Sequence, residues 1–327
     1  MIRDWRFWGL TLLALVGAAV ASGRIFEITS EARDAATIPM PGRLIAIAHD
    51  RRLHLYCAGP SGGPTVVMVA GGGTPAVASY VLQKICMFAH VCSYDRPGLG
   101  WSPPIRQPLT FDEQIKDLEA VLHNGGVPGP YLFAPESFGS LITIGYAQQH
   151  PDETAGIVFL DGVDPQLWFS AVKEQSGWDA DAKNALFAAA CRLGIVRLTF
   201  VSLAPPWVGG LPPSIRSEMR SVYSRPATGF DEAMQAYRRS PTDRRPVLTP
   251  QMLGDRPVIA VQHGKTSEAL SSAFQSGWAA SQLRLAGASR AGRVVVAEGA
   301  HHEVAQEAPD LAASYIAEAV RDARREH

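Results

Sequence analysis

Along most of the chain, short apolar runs alternate with amphipathic stretches. Residues 43–48 and 51–57 alternate apolar and polar positions on either side of His49-Asp50, which predicts an antiparallel hairpin. Residues 65–70 (TVVMVA) are continuously apolar and end in glycines, the pattern of a strand buried on both faces. Residues 91–94, 131–134, 156–160, 257–261 and 294–296 are further apolar runs of strand length. Between them, 77–88, 138–150 and 311–321 predict helices. So does 111–123, where Phe111, Ile115, Leu118 and Leu122 fall at helical spacing behind an acidic first turn. Strands alternating with helices predict an α/β fold, a mostly parallel sheet with helices on both faces.

Two regions break the alternation. Residues 165–250 hold no convincing strand, are rich in Trp, Phe and Leu, and are interrupted at Pro205-Pro206 and Pro212-Pro213. Such an insertion reads as a helical cap over the sheet. At the start, residues 7–23 (FWGLTLLALVGAAVASG) are uncharged and lie between Arg3, Arg6 and Arg24. A bilayer span takes roughly 17–25 residues, so this run suits either a short membrane anchor or a signal peptide, with Ala19-Val20-Ala21 as its cleavage site. A buried N-terminal helix is the third reading. The first two put the rest of the chain outside the cytoplasm, on the periplasmic or extracellular face, and the arginines ahead of the run favour an inside N-terminus. If uncleaved, residues 7–23 associate the protein with a membrane. The expected division is 1–24 signal peptide or anchor, 25–42 linker (its polar part, 30–42, reading as a short helix or linker), 43–164 with 251–327 as the core, and 165–250 as the cap.

Composition adds limits. The 327 residues are 46% hydrophobic and 19% charged, which is ample for a packed core. Net charge is −1, with no long run of one sign, so no nucleic-acid partner is expected. Cys57, Cys86, Cys92 and Cys191 match no zinc spacing. Export would permit one disulfide among them, but the default expectation is buried, inert thiols.

The chemistry concentrates at YLFAPESFGSLITIGYA. A strand runs straight into Pro135-Glu136-Ser137-Phe138-Gly139 and then into a helix. A serine on so tight a strand–helix turn projects its hydroxyl from the sheet edge, and the following amide, that of Phe138, sits where it can help bind an oxyanion. The pattern is G-x-S-x-G with Pro135 in place of the first glycine. Val67–Thr74 places three glycines after an earlier strand, and the Gly72 amide is the candidate second oxyanion donor. Near the C-terminus, VVVAEGAHHEVAQEAP leads from a strand into a loop bearing His301 and His302, then a helix. A loop there can bring a general base to the serine. A zinc reading of H-E-x-x-H fails because Gln306 stands where the second histidine is needed.

Together with Tyr94-Asp95-Arg96-Pro97-Gly98-Leu99-Gly100-Trp101-Ser102, these features resemble the α/β-hydrolase fold superfamily, in particular bacterial members with an N-terminal hydrophobic segment and a YDRPGLGWS block. The resemblance covers residue 43 to the end, with the cap alike only in kind. It implies that His302, seven residues before Pro309, is the catalytic base. It implies an acid either after the strand preceding the histidine strand, where residues 261–268 offer no Asp, or directly after the strand following the elbow helix, where Asp161 stands. Asp164 and Glu268 are the fallbacks. Asp95 and Arg96 read as structural braces of the loop beside the glycine-rich turn. The expected activity is serine hydrolysis of a small-molecule carboxylic ester or lactone through an acyl-enzyme, with no cofactor and no metal. Alternatives are an amidase or peptidase using the same residues, or a degenerate hydrolase-fold binding protein. Trp168, Phe169, Phe187 and Trp207 in the cap either suit a substrate with an apolar acyl or ring portion or simply form the core of the cap.

Overall fold

A computed structural model of the chain describes residues 2–48, 51–72, 80–105, 107–175, 178–203, 206–225, 235–266 and 270–325. In chain order the elements used below are α1 (Ile2–Thr37), β1 (Arg43–Ala46), β2 (Arg52–Ala58), β3 (Thr65–Val69), α2 (Tyr80–Ile85), β4 (Val91–Asp95), α3 (Phe111–Asn124), β5 (Tyr131–Pro135), α4 (Gly139–Gln149), β6 (Thr154–Leu160), α5 (Pro165–Gln175), α6 (Trp178–Arg192), α7 (Ile195–Leu203), α8 (Pro213–Tyr223), β7 (Val258–His263), α9 (Ser272–Ala286), β8 (Arg293–Ala297), α10 (Val304–Glu307) and α11 (Pro309–Ala323). They fall into two units, Met40–Ser176 with Thr228–His327, and Met1–Pro39 with Gly177–Ala227.

In the first unit the described strands form one sheet in the order β1-β2-β4-β3-β5-β6-β7-β8. β1–β2 and β2–β4 pair antiparallel and every other pair is parallel, so the sheet is the expected mostly parallel one. Successive side chains of a strand alternate between faces. Val67 and Val69 of β3 accordingly join a core with Phe111 and Leu118 of α3 and Leu141 of α4. Val66 and Met68 join a second core with Leu82 and Ile85 of α2 and Ile316 and Val320 of α11. This two-sided burial explains why the central strands read as unbroken apolar runs. The start of α3 is fixed by a capping box, in which Thr110 Oγ1 accepts the Glu113 amide at 3.3 Å and Glu113 Oε2 accepts the Thr110 amide at 2.7 Å.

Four expectations need correction or limits. Cys57 and Cys92 are not inert thiols: the β2–β4 register sets them opposite each other, and they form a disulfide, while Cys86 and Cys191 are free. Of the two readings of residues 30–42, short helix or linker, the structure has the helix, which continues α1 through Thr37 and carries Asp34 to Arg197 of its own unit. α5 groups with the sheet unit and residues 177–227 with α1, so the 165–250 cap is divided. The helix expected over 77–88 is described only as α2, and His49, Asp50 and Glu268 lie outside the described residues.

In the second unit the buried guanidinium of Arg197 on α7 lies between two carboxylates of α1. Its Nε and Nη2 donate to Glu27 at 2.9 and 2.8 Å, and its Nη1 donates to Asp34. Glu27 and Asp34 are seven residues apart and share one helix face. The two carboxylates hold Arg197 even further into its charged range than usual, although burial opposes this. Close approach requires glycine on both sides. A Cβ at Gly23 would sit 2.7 Å from the Leu193 carbonyl oxygen, and one at Gly194 would sit 2.5 Å from the Phe26 ring. The preceding half of α1 is different: Phe7, Leu10, Leu13 and Leu15 are exposed, and the helix is long and apolar enough to cross a membrane.

Candidate active site

The candidate site lies within the sheet unit. β5 ends at Pro135, and Ser137 then takes a positive φ of 42°. That turn brings α4 so close to β3 that a Cβ on Gly139 would lie 2.3 Å from the Val69 carbonyl oxygen. Pro135 is accommodated because it falls in a gap of the β5–β6 ladder, between the Phe133↔Ile157 pair and the isolated Glu136↔Leu160 bridge. Gly71 packs against the elbow from the other side; its Cβ would be 3.1 Å from that of Ser137. Arg96 donates to the carbonyls of Ala70 and Gly71 at 2.6 and 3.1 Å, with its guanidinium over the Phe138 ring. Asp95 accepts from buried His54 at 2.9 Å and from the Trp101 amide at 2.9 Å, and at Gly100 a Cβ would collide with its carboxylate. The YDRPGLGWS block therefore folds around Asp95 and supports the glycine turn through Arg96.

Ser137, His302 and Asp161 come together from three elements. Ser137 Oγ is 3.0 Å from His302 Nε2, and His302 Nδ1 is 2.6 Å from Asp161 Oδ2. His302 stands in the loop after β8, and Asp161 directly follows β6 at a positive φ of 47°, a conformation that aspartate tolerates better than most residues. His301 points elsewhere: its Nδ1 is paired with Glu307 at 2.9 Å. Asp164 caps α5 through the Gln166 amide and binds Arg284 at 2.7 and 3.0 Å. Gly72 and Phe138 both line the cavity of about 330 Å³ into which Ser137 and His302 open, together with Trp168 and Phe274. Among the other expected cap aromatics, Phe169 packs in the sheet-unit core, Phe187 is exposed in the other unit, and the Trp207 side chain lies outside the described residues.

The electrostatics follow from burial and partners. Burial alone would raise the Asp161 carboxyl; hydrogen bonds and charge from His263 and His302 outweigh it and hold the group below its ordinary range. Burial alone would lower His302; the Asp161 hydrogen bond and charge, with Glu303 and Glu136, hold it above the ordinary imidazole value. Glu136, adjacent to Ser137, is pushed up to about 7 by burial. Among the described residues, two sets of side chains have donor atoms within 4.8 Å of one another, Asp161–His263–His302 and Cys57–His90–Cys92. Neither fits a metal. Nδ1 of each imidazole in the first set is taken up by Asp161, and the two thiols of the second form the disulfide.

A family model for the alpha/beta hydrolase fold matches residues 64–193. A thermophilic esterase from Thermogutta terrifontis superposes with a TM-score of 0.61 at 18% identity, over 86% of this chain and 98% of that one. The enol-lactonase of Burkholderia xenovorans LB400 superposes with a TM-score of 0.59 at 16% identity, over 85% of this chain and 99% of its own. The chain has the α/β-hydrolase fold. The uncharacterized protein YqjL of Bacillus subtilis is 35% identical over 102 residues, 31% of this chain and 40% of that protein. The chain spans less than half the length of the first curated relatives that it matches.

Three residues around this hydrolase-fold site escaped the sequence reading. α9 was not expected, yet Phe274, Trp278 and Leu285 are buried at helical spacing. It supplies Trp278, whose Nε1 donates to Asp161 Oδ1 at 2.8 Å. His263 ends β7, and its backbone amide and Nδ1 lie 2.9 and 2.7 Å from the two Asp161 oxygens. Gln306 reaches the Glu136 carboxyl at 3.3 Å. The apolar period of α9 was the one readable signal among them; a lone histidine at a strand end carries none.

Proposed function

We propose that this chain is a serine hydrolase that cleaves carboxylic esters or lactones through an acyl-enzyme. The unbroken path from Ser137 Oγ through His302 to Asp161, opening on a cavity, carries this reading. His302 takes the Ser137 proton as Oγ attacks the carbonyl carbon, and Asp161 remains ionised and stabilises the imidazolium. The amides of Gly72 and Phe138 receive the oxyanion. The imidazolium then protonates the leaving alkoxide as the ester C–O bond breaks. Water, deprotonated by the same imidazole, then attacks the acyl carbon; the bond from that carbon to Oγ breaks, the imidazolium returns its proton to Ser137 Oγ, and the acid leaves. No cofactor is required by these steps. The apolar walls from Phe138, Val163, Trp168 and Phe274 favour an apolar acyl or ring portion. The esterase and lactonase neighbours support ester and lactone carbonyls as the substrate class.

The test is a panel of aryl esters, lactones and matched amides on the full chain in detergent. Turnover of an ester or lactone, lost in Ser137→Ala, is expected. Amides cleaved as fast as esters would move the assignment to an amidase or peptidase, and no turnover with an unreactive Ser137 would favour a degenerate binding protein.

We further propose that the sheet unit works on the periplasmic or extracellular face, with residues 7–23 as the membrane segment. The exposed apolar half of α1 supports this, as does a disulfide of the kind that persists in oxidising compartments. Alkaline extraction of membranes should leave the protein in the pellet; release into the supernatant as a shortened chain would instead indicate a cleaved signal peptide.

A further inference from the structure

The carboxylate of Asp161 is fully buried and accepts four hydrogen bonds. Oδ1 takes the Trp278 indole N–H at 2.8 Å and the His263 backbone N–H at 2.9 Å. Oδ2 lies 2.6 Å from His302 Nδ1 and 2.7 Å from His263 Nδ1. A neutral imidazole can donate to a carboxylate at Nδ1 only in the tautomer that carries its proton there. Both rings therefore point an N–H at one oxygen. An orienting role for the acid would need just one of them.

We propose that His263 is a positioning residue that shares Asp161 Oδ2 with His302 and so sets where His302 titrates. This inference rests on the serine-hydrolase reading only for its link to turnover. The physical step is simple. A second N–H on Oδ2 stabilises the anion and draws charge away from the His302 bond, which weakens the preference for imidazolium. His302 is thereby neutral, and able to act as a base, at a lower pH than an unshared aspartate would allow. The other groups facing the His302 ring are Ser137 and Glu136 at the elbow, Glu303 on its own loop, and the Trp278 ring, 5.2 Å away and edge-on. None of these lies on Oδ2. The ring of His263 is 5.7 Å from that of Trp278, so β7 and α9 hold the acid jointly.

The experiment uses the full chain in detergent with 15N-labelled histidine. In the wild type, the His263 nitrogen shifts should report a protonated Nδ1, and a protonated Nε2 with bare Nδ1 would overturn the proposal without any variant. His263→Phe removes the donor and His263→Asn retains an N–H close to the same place. In His263→Phe the His302 titration should move to higher pH, and kcat/KM on the acid limb should fall by about tenfold for each pH unit moved, with a smaller change on the high-pH plateau. His263→Asn should keep the wild-type limb. Equal loss in both variants at every pH, with the His302 titration unmoved, would mean that His263 is merely structural. The serine reading fails separately, if Ser137→Ala retains turnover, and the His302 titration then still tests the sharing.

Discussion

Two buried charged groups, one in each unit, are held in opposite ways. Arg197 is a cation between two anions, Glu27 and Asp34, at hydrogen-bonding distance. Asp161 is an anion whose partners are an indole, a backbone amide and two imidazoles, all of them neutral when the rings are unprotonated. The first arrangement holds a permanent cation against both carboxylates and fixes α1 to α7. The second leaves a negative charge in a poorly solvated place, where a cation forming on His302 would be stabilised strongly. A cluster meant to hold can keep its counter-ion permanently in contact, whereas a cluster meant to respond to a proton must leave the cation's place to that proton.

The largest expected effects fall on the Asp161 cluster. His302→Ala and Asp161→Asn should each lower kcat on the order of 10⁴-fold, the second by permitting the wrong imidazole tautomer. Steady-state assays with a reactive aryl ester check this; near-full activity of Asp161→Asn would reject the early acid. His301→Ala, with its ring turned to Glu307, should change kcat by less than about threefold.

Next comes the Arg197 cluster. Arg197→Leu strands two buried carboxylates and should destabilise the folded chain by about 3–5 kcal/mol, read as a lower unfolding midpoint. Replacing Glu27, Asp34 and Arg197 together by apolar residues should recover most of that loss. Recovery of this kind is not expected for activity when Asp161 and His302 are made apolar, and finding it would erase the contrast between the clusters.

A smaller effect is expected for Trp278→Phe, which retains the ring and removes one of four N–H groups from Asp161. The loss of about 1–3 kcal/mol from leaving an oxygen of a buried carboxylate short of one donor should appear mainly in kcat. The smallest is Glu136→Gln. The Glu136 carboxyl, raised to about 7 by burial, favours imidazolium on His302 when ionised. Removing that charge lowers the His302 titration, so the neutral base is present at lower pH and the acid limb of kcat/KM should move down. Movement upward would mean that Glu136 acts on His302 by some route other than its charge.

Legibility in the sequence divided along the same lines. The sheet was readable because two-sided burial leaves unbroken apolar runs such as TVVMVA and GIVFL. The elbow was readable because tight approach of α4 to β3 demands a glycine at 139. Cross-strand facts were not readable. The Cys57–Cys92 pair depends on β2–β4 register, and the His263–Asp161 pair spans 102 residues. The α1–α7 lock was missed for a different reason. Its charges suggest a solvated helix until Arg197, 163 residues from Asp34, is seen between them.

The central claim is that Ser137 is a nucleophile made reactive by His302. Labelling of the full chain with a fluorophosphonate probe, read by intact mass and peptide mapping, tests it most directly. The account predicts one adduct, on Ser137, absent in Ser137→Ala and strongly slowed in His302→Ala. Equal labelling of wild type and Ser137→Ala, or no labelling of a folded wild type, would contradict it.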